Sequence, residues 1–216
     1  MAGARVISIN AGSGKDAHWA GRLRRTAIDK RPLAGPVAVR RLGLAGDEQI
    51  DKEFHGGPEQ ALYAYARDDL DWWVERLSRE LPNGTFGENL TTSGLDISGA
   101  LLGEVWRLGT AVVQVTAPRI PCVVFAGWLD EDHWVKRFAQ ARRPGAYLRV
   151  LTEGTVSAGD EVFVVSRPAE EVTVADSMSA HYGDPGMMRR VLRVEGRSTK
   201  WDEMAPGVLA RAEARP

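Results

Sequence analysis

The side chain with the most distinctive chemistry occurs once: Cys122 is the one cysteine among 216 residues. It ends the segment TAPRIPC, in which Pro118 and Pro121 fix φ and restrict the residue before each of them. The thiol therefore follows a stiff, extended leader. Arg119 lies in this leader, and its planar guanidinium suits a phosphate or carboxylate and favours a nearby thiolate. A thiolate is a nucleophile and a soft metal ligand. The alternative is a small buried apolar side chain, although the VVF that follows already supplies apolar filler.

The segment GLAGDEQIDKEFHGGPEQAL, residues 43–62, combines turn-forming glycines with ionisable side chains. These are Asp47, Glu48, Asp51, Glu53 and His55. His55 precedes two glycines at the entrance to a predicted strand, where an imidazole can hydrogen-bond a ligand or move a proton. The same residue types are equally typical of an acidic, solvated loop, and both interpretations stay open at this point.

Two further segments carry polar groups at turns. In GTFGENLTTSGL, residues 84–95, Gly87 permits a close backbone approach. Asn89 offers donors and an acceptor, either to the edge of a heterocycle or to buried loop backbone. In TAIDKRP, residues 26–32, Lys30 is placed to face an anion, or is simply solvated.

The elements that must position these segments are mostly short strands. Alternating patterns predict strands at residues 5–9, 37–42, 61–66, 105–108, 111–116, 146–151 and 161–165. Helices are predicted at 67–81, at about 131–142, and at three starts marked by Thr173, Asp184 and Thr199. These patterns indicate a mostly antiparallel, barrel-like sheet in an α+β protein, with a boundary near Pro168.

Composition excludes several classes of protein. The net charge is −1, so no global field attracts nucleic acid or an anionic membrane. No apolar run approaches the length of a membrane span. One cysteine cannot form an intrachain disulfide, and together with the absence of a signal-peptide pattern this predicts a cytoplasmic protein. No dinucleotide-binding glycine motif or P-loop is present.

Taken in order, TAIDKRP, GLAGDEQIDKEFHGGPEQAL, TFGENLTTSGL and TAPRIPC resemble the MOSC family, the domain found at the C-terminus of molybdenum-cofactor sulfurases. The resemblance is greatest to its bacterial YiiM-like branch and covers about residues 22–165. It implies a MOSC-type β-barrel core with peripheral helices over residues 1–167. Residues 168–216 would form a small three-helix domain.

The resemblance also implies a site that holds a pyranopterin molybdenum cofactor. Cys122 matches the family's cysteine, whose thiolate binds molybdenum, and His55 and Asp51 would support the pocket or move protons beside it. The implied cofactor-binding residues are Thr26, Lys30, Gly87, Asn89 and Arg119.

The implied activity is the reduction of N-hydroxylated compounds such as 6-hydroxylaminopurine. The chain lacks a flavin, haem or iron–sulfur motif, so electrons would come from an external flavoprotein reductase. The expected assembly is a monomer or homodimer. Two alternatives remain: a carrier of cofactor or sulfur that uses Cys122 as a persulfide or transfer site, and a hydrolase that uses Cys122 with His55.

Overall fold

The computed structural model describes residues 3–52 and 55–214, so Glu53 of the acidic segment lies outside the described residues. The strands are β1 (Arg5–Ala11), β2 (Lys15–Asp16), β3 (Arg25–Thr26), β4 (Arg31–Pro32), β5 (Val37–Arg40), β6 (Gly43–Leu44), β7 (Leu62–Ala66), β8 (Leu90–Ser93), β9 (Val105–Leu108), β10 (Ala111–Pro118), β11 (Ala146–Thr152), β12 (Gly154–Val156) and β13 (Val162–Ser166). The helices are α1 (Arg67–Leu77), α2 (Val123–Leu129), α3 (Trp134–Ala141), α4 (Val174–His181), α5 (Pro185–Arg193) and α6 (Lys200–Glu213).

The largest sheet has eight strands in the order β13-β9-β10-β11-β7-β8-β1-β4. Its neighbours pair antiparallel except β7 and β8, which run parallel. The predicted strands 105–108 and 111–116 are present as β9 and β10, and a hairpin turn at Gly109-Thr110 joins them, with Leu108 opposite Ala111. Gly109 has φ +55°, a left-handed conformation that glycine adopts without steric cost. The predicted α+β class is confirmed.

The first strand also reaches the entrance of the last one. Val162 N donates to Ala4 O at 2.8 Å, and Val6 N donates to Asp160 O at 2.9 Å. An isolated antiparallel bridge joins Arg5 to Glu161 between them. The sheet therefore curls until β1 approaches β13. Among the described residues, β1 and β13 do not form a regular ladder of paired residues. A closed barrel stays a prediction.

Alternation along the strands builds the core inside the curled sheet. In β10, Ala111, Val113 and Val115 are fully buried, while the alternate residues Val112 and Gln114 are partly exposed, as the two-residue period of a strand requires. A second, aromatic cluster lies under α1, α2 and α3. Its buried aromatic members include Tyr65, Trp73, Phe86, Phe125, Trp134 and Phe138. The helix α2, which begins beside Cys122, packs on this cluster.

The helices before residue 168 differ from the predictions in two respects: the first helix is shorter than predicted, and an additional short helix is present. The predicted helix 67–81 is present as α1, although it ends at Leu77 because Ser78 adopts φ +50°. The predicted helix near 131–142 is α3. Within VVF, Phe125 is fully buried in the aromatic cluster, as expected of apolar filler, whereas Val123 is 67% exposed. These residues begin the helix α2, which was not predicted. Valine has a modest helix propensity, so this short helix gave no periodic signal.

Three helices follow β13, as predicted. Thr173 Oγ1 accepts from Asp176 N at 2.9 Å, and Asp184 Oδ1 accepts from Met187 N at 3.0 Å. The start of α6 differs, because Thr199 does not cap it with its side chain. All three helices contribute to the same buried cluster as the sheet interior. The domain boundary after residue 167 stays a prediction. Within the described ranges, none of these helices combines the length and apolar character needed to cross a bilayer.

Candidate functional site

Cys122 lies at the junction between the strand β10 and the helix α2. It is the residue before the first turn of α2, with extended backbone angles (φ −129°, ψ 173°). Its carbonyl accepts from Ala126 N at 3.0 Å. The two prolines of the leader keep residues 118–121 out of the helix, since the residue before a proline avoids helical angles. The half-buried thiol is therefore held at one point on the wall of a cleft.

A polar cleft beside Cys122 brings the predicted site residues together. We call this cleft the polar lobe; its volume is about 100 Å³. Its wall includes all eight of them: Thr26, Lys30, Asp51, His55, Gly87, Asn89, Arg119 and Cys122. The wall also includes residues that were not predicted as site residues, notably Asp47, Tyr63 and Tyr147. Segments as far apart in the chain as those of Thr26 and Tyr147 thus converge on one cleft.

Arg119 is a buried cation, and no carboxylate of the described residues forms an ion pair with it. Its side chain is stacked between the rings of Tyr63 and Phe125, at 5.1 and 4.3 Å from their centroids. Burial lowers the pKa of Arg119, but its interactions with Tyr147, Tyr63 and the Cys122 thiol outweigh this and raise the pKa above its ordinary value. The guanidinium is therefore permanently charged although only 6% of the residue is exposed.

The absence of a counterion distinguishes Arg119 from comparable arginines. The Nε of Arg119 lacks a hydrogen-bond partner among the described residues, as do those of Arg149 and Arg197. However, Arg149 pairs with Glu59 and Arg197 pairs with Asp202. In the part of the chain that the structure describes, Arg119 forms no ion pair. A buried, unpaired charge is costly, so this position favours an anionic ligand.

Lys30, the second predicted cation, is already neutralised. It forms a buried ion pair with Asp47. Burial lowers the pKa of Lys30, and the nearby Asp47 only partly offsets this effect. Asp47 also accepts from Gly12 N and from Asn89 Nδ2, both at 2.9 Å. The Lys30–Asp47 pair therefore shapes the floor of the polar lobe and leaves Arg119 as its uncompensated charge.

The amide of Asn89 is engaged with the protein. Its Oδ1 accepts from Tyr63 N at 3.0 Å, and its Nδ2 donates to Asn10 O at 3.3 Å as well as to Asp47. This matches the alternative that Asn89 satisfies buried loop backbone. The hydroxyl of Thr26 is used similarly, since it accepts from Ile28 N at 3.2 Å. Both side chains therefore stabilise the wall of the lobe.

Gly87 allows the loop that carries it to approach the segment 26–32. Its φ is +75°, and a Cβ at this position would lie 3.0 Å from Ile28 Cγ1. The next residue, Glu88, is fully buried and accepts from Gly84 N at 2.5 Å and from Phe86 N at 3.0 Å. Glu88 was not predicted as a site residue because nothing in its sequence context signals that its carboxylate folds back on its own loop.

His55 lies opposite Arg119 and is uncharged at neutral pH. Its Nδ1 is 3.1 Å from Tyr147 Oη. Burial lowers the pKa of His55 from 6.5 to about 4, helped by the nearby Arg119 charge and opposed by Asp51. The neutral imidazole is therefore a hydrogen-bond partner of the tyrosine hydroxyl at pH 7. Asp51 lines the same wall.

The low pKa of His55 predicts a loss of stability in acid. Between about pH 6.5 and pH 4 the unfolded chain binds a proton that the folded chain does not, so folding stability is full above pH 6.5 and falls as the pH drops to 4. A pKa lowered from 6.5 to about 4 corresponds to about 3 kcal/mol. We expect His55→Gln to reduce the difference in unfolding free energy between pH 7.5 and 4.5 by about that amount.

Chemical denaturation at the two pH values measures this difference. His18→Gln is the matched control, because the residue is exposed, and it should behave as the wild type does. Equal pH dependence in His55→Gln and the wild type would show that the imidazole is not held neutral by the fold.

The donor set limits how a metal could bind here. Among the described residues, no three His, Cys, Asp or Glu side chains converge into a metal-binding group. Cys122 offers a single soft ligand, so most ligands of a metal bound to Cys122 would have to come from a group other than the protein. A metal carried by an anionic organic ligand meets this condition, and the unpaired Arg119 suits the anion.

Comparison with known proteins agrees with this arrangement. The family model "MOSC domain" matches residues 51–163. "Uncharacterized protein YflK" of Bacillus subtilis (strain 168) is 37% identical over 189 residues, which is 88% of this chain and 86% of YflK. "Protein YiiM" of Escherichia coli (strain K12) is 33% identical over 186 residues, 82% of this chain and 81% of YiiM.

A fungal relative and a solved structure extend the comparison. A protein named "Reductase" from Gibberella moniliformis (strain M3125 / FGSC 7600) is 30% identical over 167 residues, which cover 76% of this chain but only 29% of that protein. The crystal structure of YiiM from Geobacillus stearothermophilus superimposes with a TM-score of 0.80 at 30% identity, over 95% of this chain and 99% of that one. The matched region contains Cys122, and the shared fold extends over the helices α4 to α6. The chain belongs to the MOSC domain family.

Proposed function

We propose that this protein is a molybdenum-cofactor-dependent oxidoreductase that reduces N-hydroxylated compounds. The observation that carries the proposal is the buried Arg119, which forms no ion pair with any described residue and lies in the same cleft as the chain's one thiol. Membership of the MOSC family, which is associated with the molybdenum cofactor, and the similarity to a protein named "Reductase" support an oxidoreductase. The substrate class, the flavoprotein electron donor and the assembly as a monomer or homodimer are part of the proposal.

The residues of the polar lobe fit an anionic organometallic cofactor. Arg119, which lines the cleft, would bind its phosphate or another anionic edge through the guanidinium. Cys122 would bind molybdenum through its thiolate, a soft donor. When bound, the cofactor would supply two-electron chemistry at the metal. Lys30, paired with Asp47, and Asn89, bonded to backbone, would act by holding the walls in place.

Reduction of an N–O bond needs protons as well as electrons. For a hydroxylamine, R–NH–OH, two electrons and two protons yield R–NH2 and water, with cleavage of the N–O bond. His55 and Tyr147 form a hydrogen-bonded pair on the cleft wall, and a neutral imidazole can accept a proton from one side and return it to another. This pair would hold or pass a proton beside Cys122, and Asp51 lies on the same wall.

The test is the cofactor content and activity of the purified chain. The protein should be produced in a host that makes the cofactor, and then assayed for molybdenum and for reduction of N-phenylhydroxylamine with reduced methyl viologen as electron donor. We expect stoichiometric molybdenum and formation of aniline. Absence of the metal would refute the proposal. A labile extra sulfur on Cys122 in mass spectra, without N–O reduction, would instead identify a sulfur carrier.

A further inference from the structure

A second cavity adjoins the polar lobe on the other side of Cys122. We call it the apolar lobe, and its volume is about 460 Å³. One wall is the leader and the start of α2, with Pro118, Ile120 and Val123, and the other is the helix α6, with Trp201 and Met204. Cys122, His55 and Asp51 line both lobes. A molecule in the apolar lobe would therefore meet the thiol directly.

The walls of the apolar lobe suit an uncharged ligand. They are built mainly from proline, aliphatic, tryptophan and methionine side chains. The charged side chains Arg22, Asp51 and Lys200 also line the lobe, but each already interacts with other groups of the protein. Transfer of a further, unpaired charge into such surroundings is costly. His181, at the end of α4, faces this lobe, and burial lowers the pKa of its imidazole, so it is neutral at pH 7. The volume is in the range of small-molecule sites, about 300–1,000 Å³.

Glu59 holds the α6 wall against the cleft. Its carboxylate accepts from Ser198 Oγ at 2.6 Å, from Thr199 N at 2.8 Å and from Thr199 Oγ1 at 3.0 Å. Arg149 Nη2 also donates to it at 3.0 Å. The next residue, Gln60, lines both lobes and accepts from Lys200 Nζ at 3.3 Å. Residues that continue the HGG segment thus position the first turn of α6, including Trp201.

We propose that the apolar lobe receives the non-reacting body of the substrate, an uncharged aromatic or heteroaromatic group. In this arrangement the side chains of α6 select the aromatic body, and Glu59 positions α6. The N–O group lies toward Cys122. The continuity of the two lobes at the thiol, the apolar lining and the volume carry this assignment. The identity of the reacting group rests on the proposed function. The binding of the aromatic body does not depend on it.

The experiment compares two variants of α6 that introduce the same carboxylate. Met204 and Leu209 are both half-buried and pack on the same core, but only Met204 lies on the wall of the apolar lobe. Binding of aniline to the cofactor-free full-length chain is measured by calorimetry for the wild type, Met204→Asp and Leu209→Asp. In the cofactor-loaded proteins, kcat/KM is measured for N-phenylhydroxylamine and for N-methylhydroxylamine, which has no aromatic body.

We expect saturable aniline binding in the wild type and in Leu209→Asp, and its loss in Met204→Asp. Met204→Asp should lower the preference for the phenyl over the methyl substrate by about 10-fold or more, with unchanged molybdenum content. Glu59→Ala should raise KM for the phenyl substrate while kcat for the methyl substrate is retained. Absence of aniline binding in the wild type, or equal loss in both aspartate variants, would overturn the assignment. If the wild type binds aniline but carries no molybdenum when it is produced in a host that makes the cofactor, only the proposed function is overturned.

Discussion

Cys122→Ser is expected to abolish the retention of molybdenum and to reduce the rate of N–O reduction by more than ~1,000-fold. Serine preserves the size of the side chain, but its hydroxyl is a harder donor and is protonated at neutral pH. Since no three metal-ligating side chains converge in the described ranges, the remaining side chains do not form a metal site of their own once the thiolate is lost. The effect should therefore be on cofactor content rather than on folding.

Elemental analysis and the viologen-linked assay measure the two effects, and circular dichroism checks the fold. Cys122→Ala is the companion variant, because it removes the donor without substituting a hydroxyl. Both variants should lack the metal and unfold near the wild-type temperature. Wild-type molybdenum content in either variant would remove Cys122 from the ligand set.

Arg119→Met is expected to weaken cofactor binding without lowering the stability of the cofactor-free protein. Loss of the buried guanidinium should weaken cofactor retention by ~100-fold or more, because a charge-assisted contact to an anion is lost. The cofactor-free protein should nevertheless be as stable as the wild type or more stable by about 1–2 kcal/mol. The desolvation cost of an unpaired buried charge is several kcal/mol, whereas the lost stacking on Tyr63 and Phe125 contributes about 0.5–2 kcal/mol per ring.

Arg149→Met is the matched control for this experiment. Arg149 is also buried at its Nε, but it forms an ion pair with Glu59 and donates to Arg197 O at 2.7 Å. Its replacement leaves a carboxylate and a carbonyl without their donor, so the cofactor-free protein should be destabilised by about 1–3 kcal/mol. Thermal unfolding of the two cofactor-free variants makes the comparison. If Arg119→Met were the more destabilised of the two, its charge would be compensated in a way that the ion-pair pattern does not show.

Much of the local architecture was predictable because it depends on neighbouring residues. Thr173 and Asp184 cap their helices through contacts three residues away. Pro118 and Pro121 restrict backbone angles within the leader itself, and the turn at Gly109 needs only a residue that tolerates positive φ. The helix α2 escaped prediction because its seven residues are too few to show a helical period.

The composition of the cleft wall was also predictable, through the order of the matching segments. All eight predicted side chains line the polar lobe, although their chemical roles there are proposals. Sequence patterns did not indicate Glu59, His181 or Met204, because each acquires its place through contacts between distant segments. Glu59, for example, meets Thr199 across 140 positions of the chain.

The sequence by itself determined which donors and charges the protein possesses and where its backbone must turn or stay extended. Only the tertiary structure decided which charges are compensated. Lys30 is neutralised by Asp47, and the amide of Asn89 is bonded to backbone and to Asp47. His55 is held neutral, and Arg119 pairs with no carboxylate of the described residues. The physical reason is that backbone preferences act over a few residues, whereas burial and electrostatic pairing depend on which distant segments pack together.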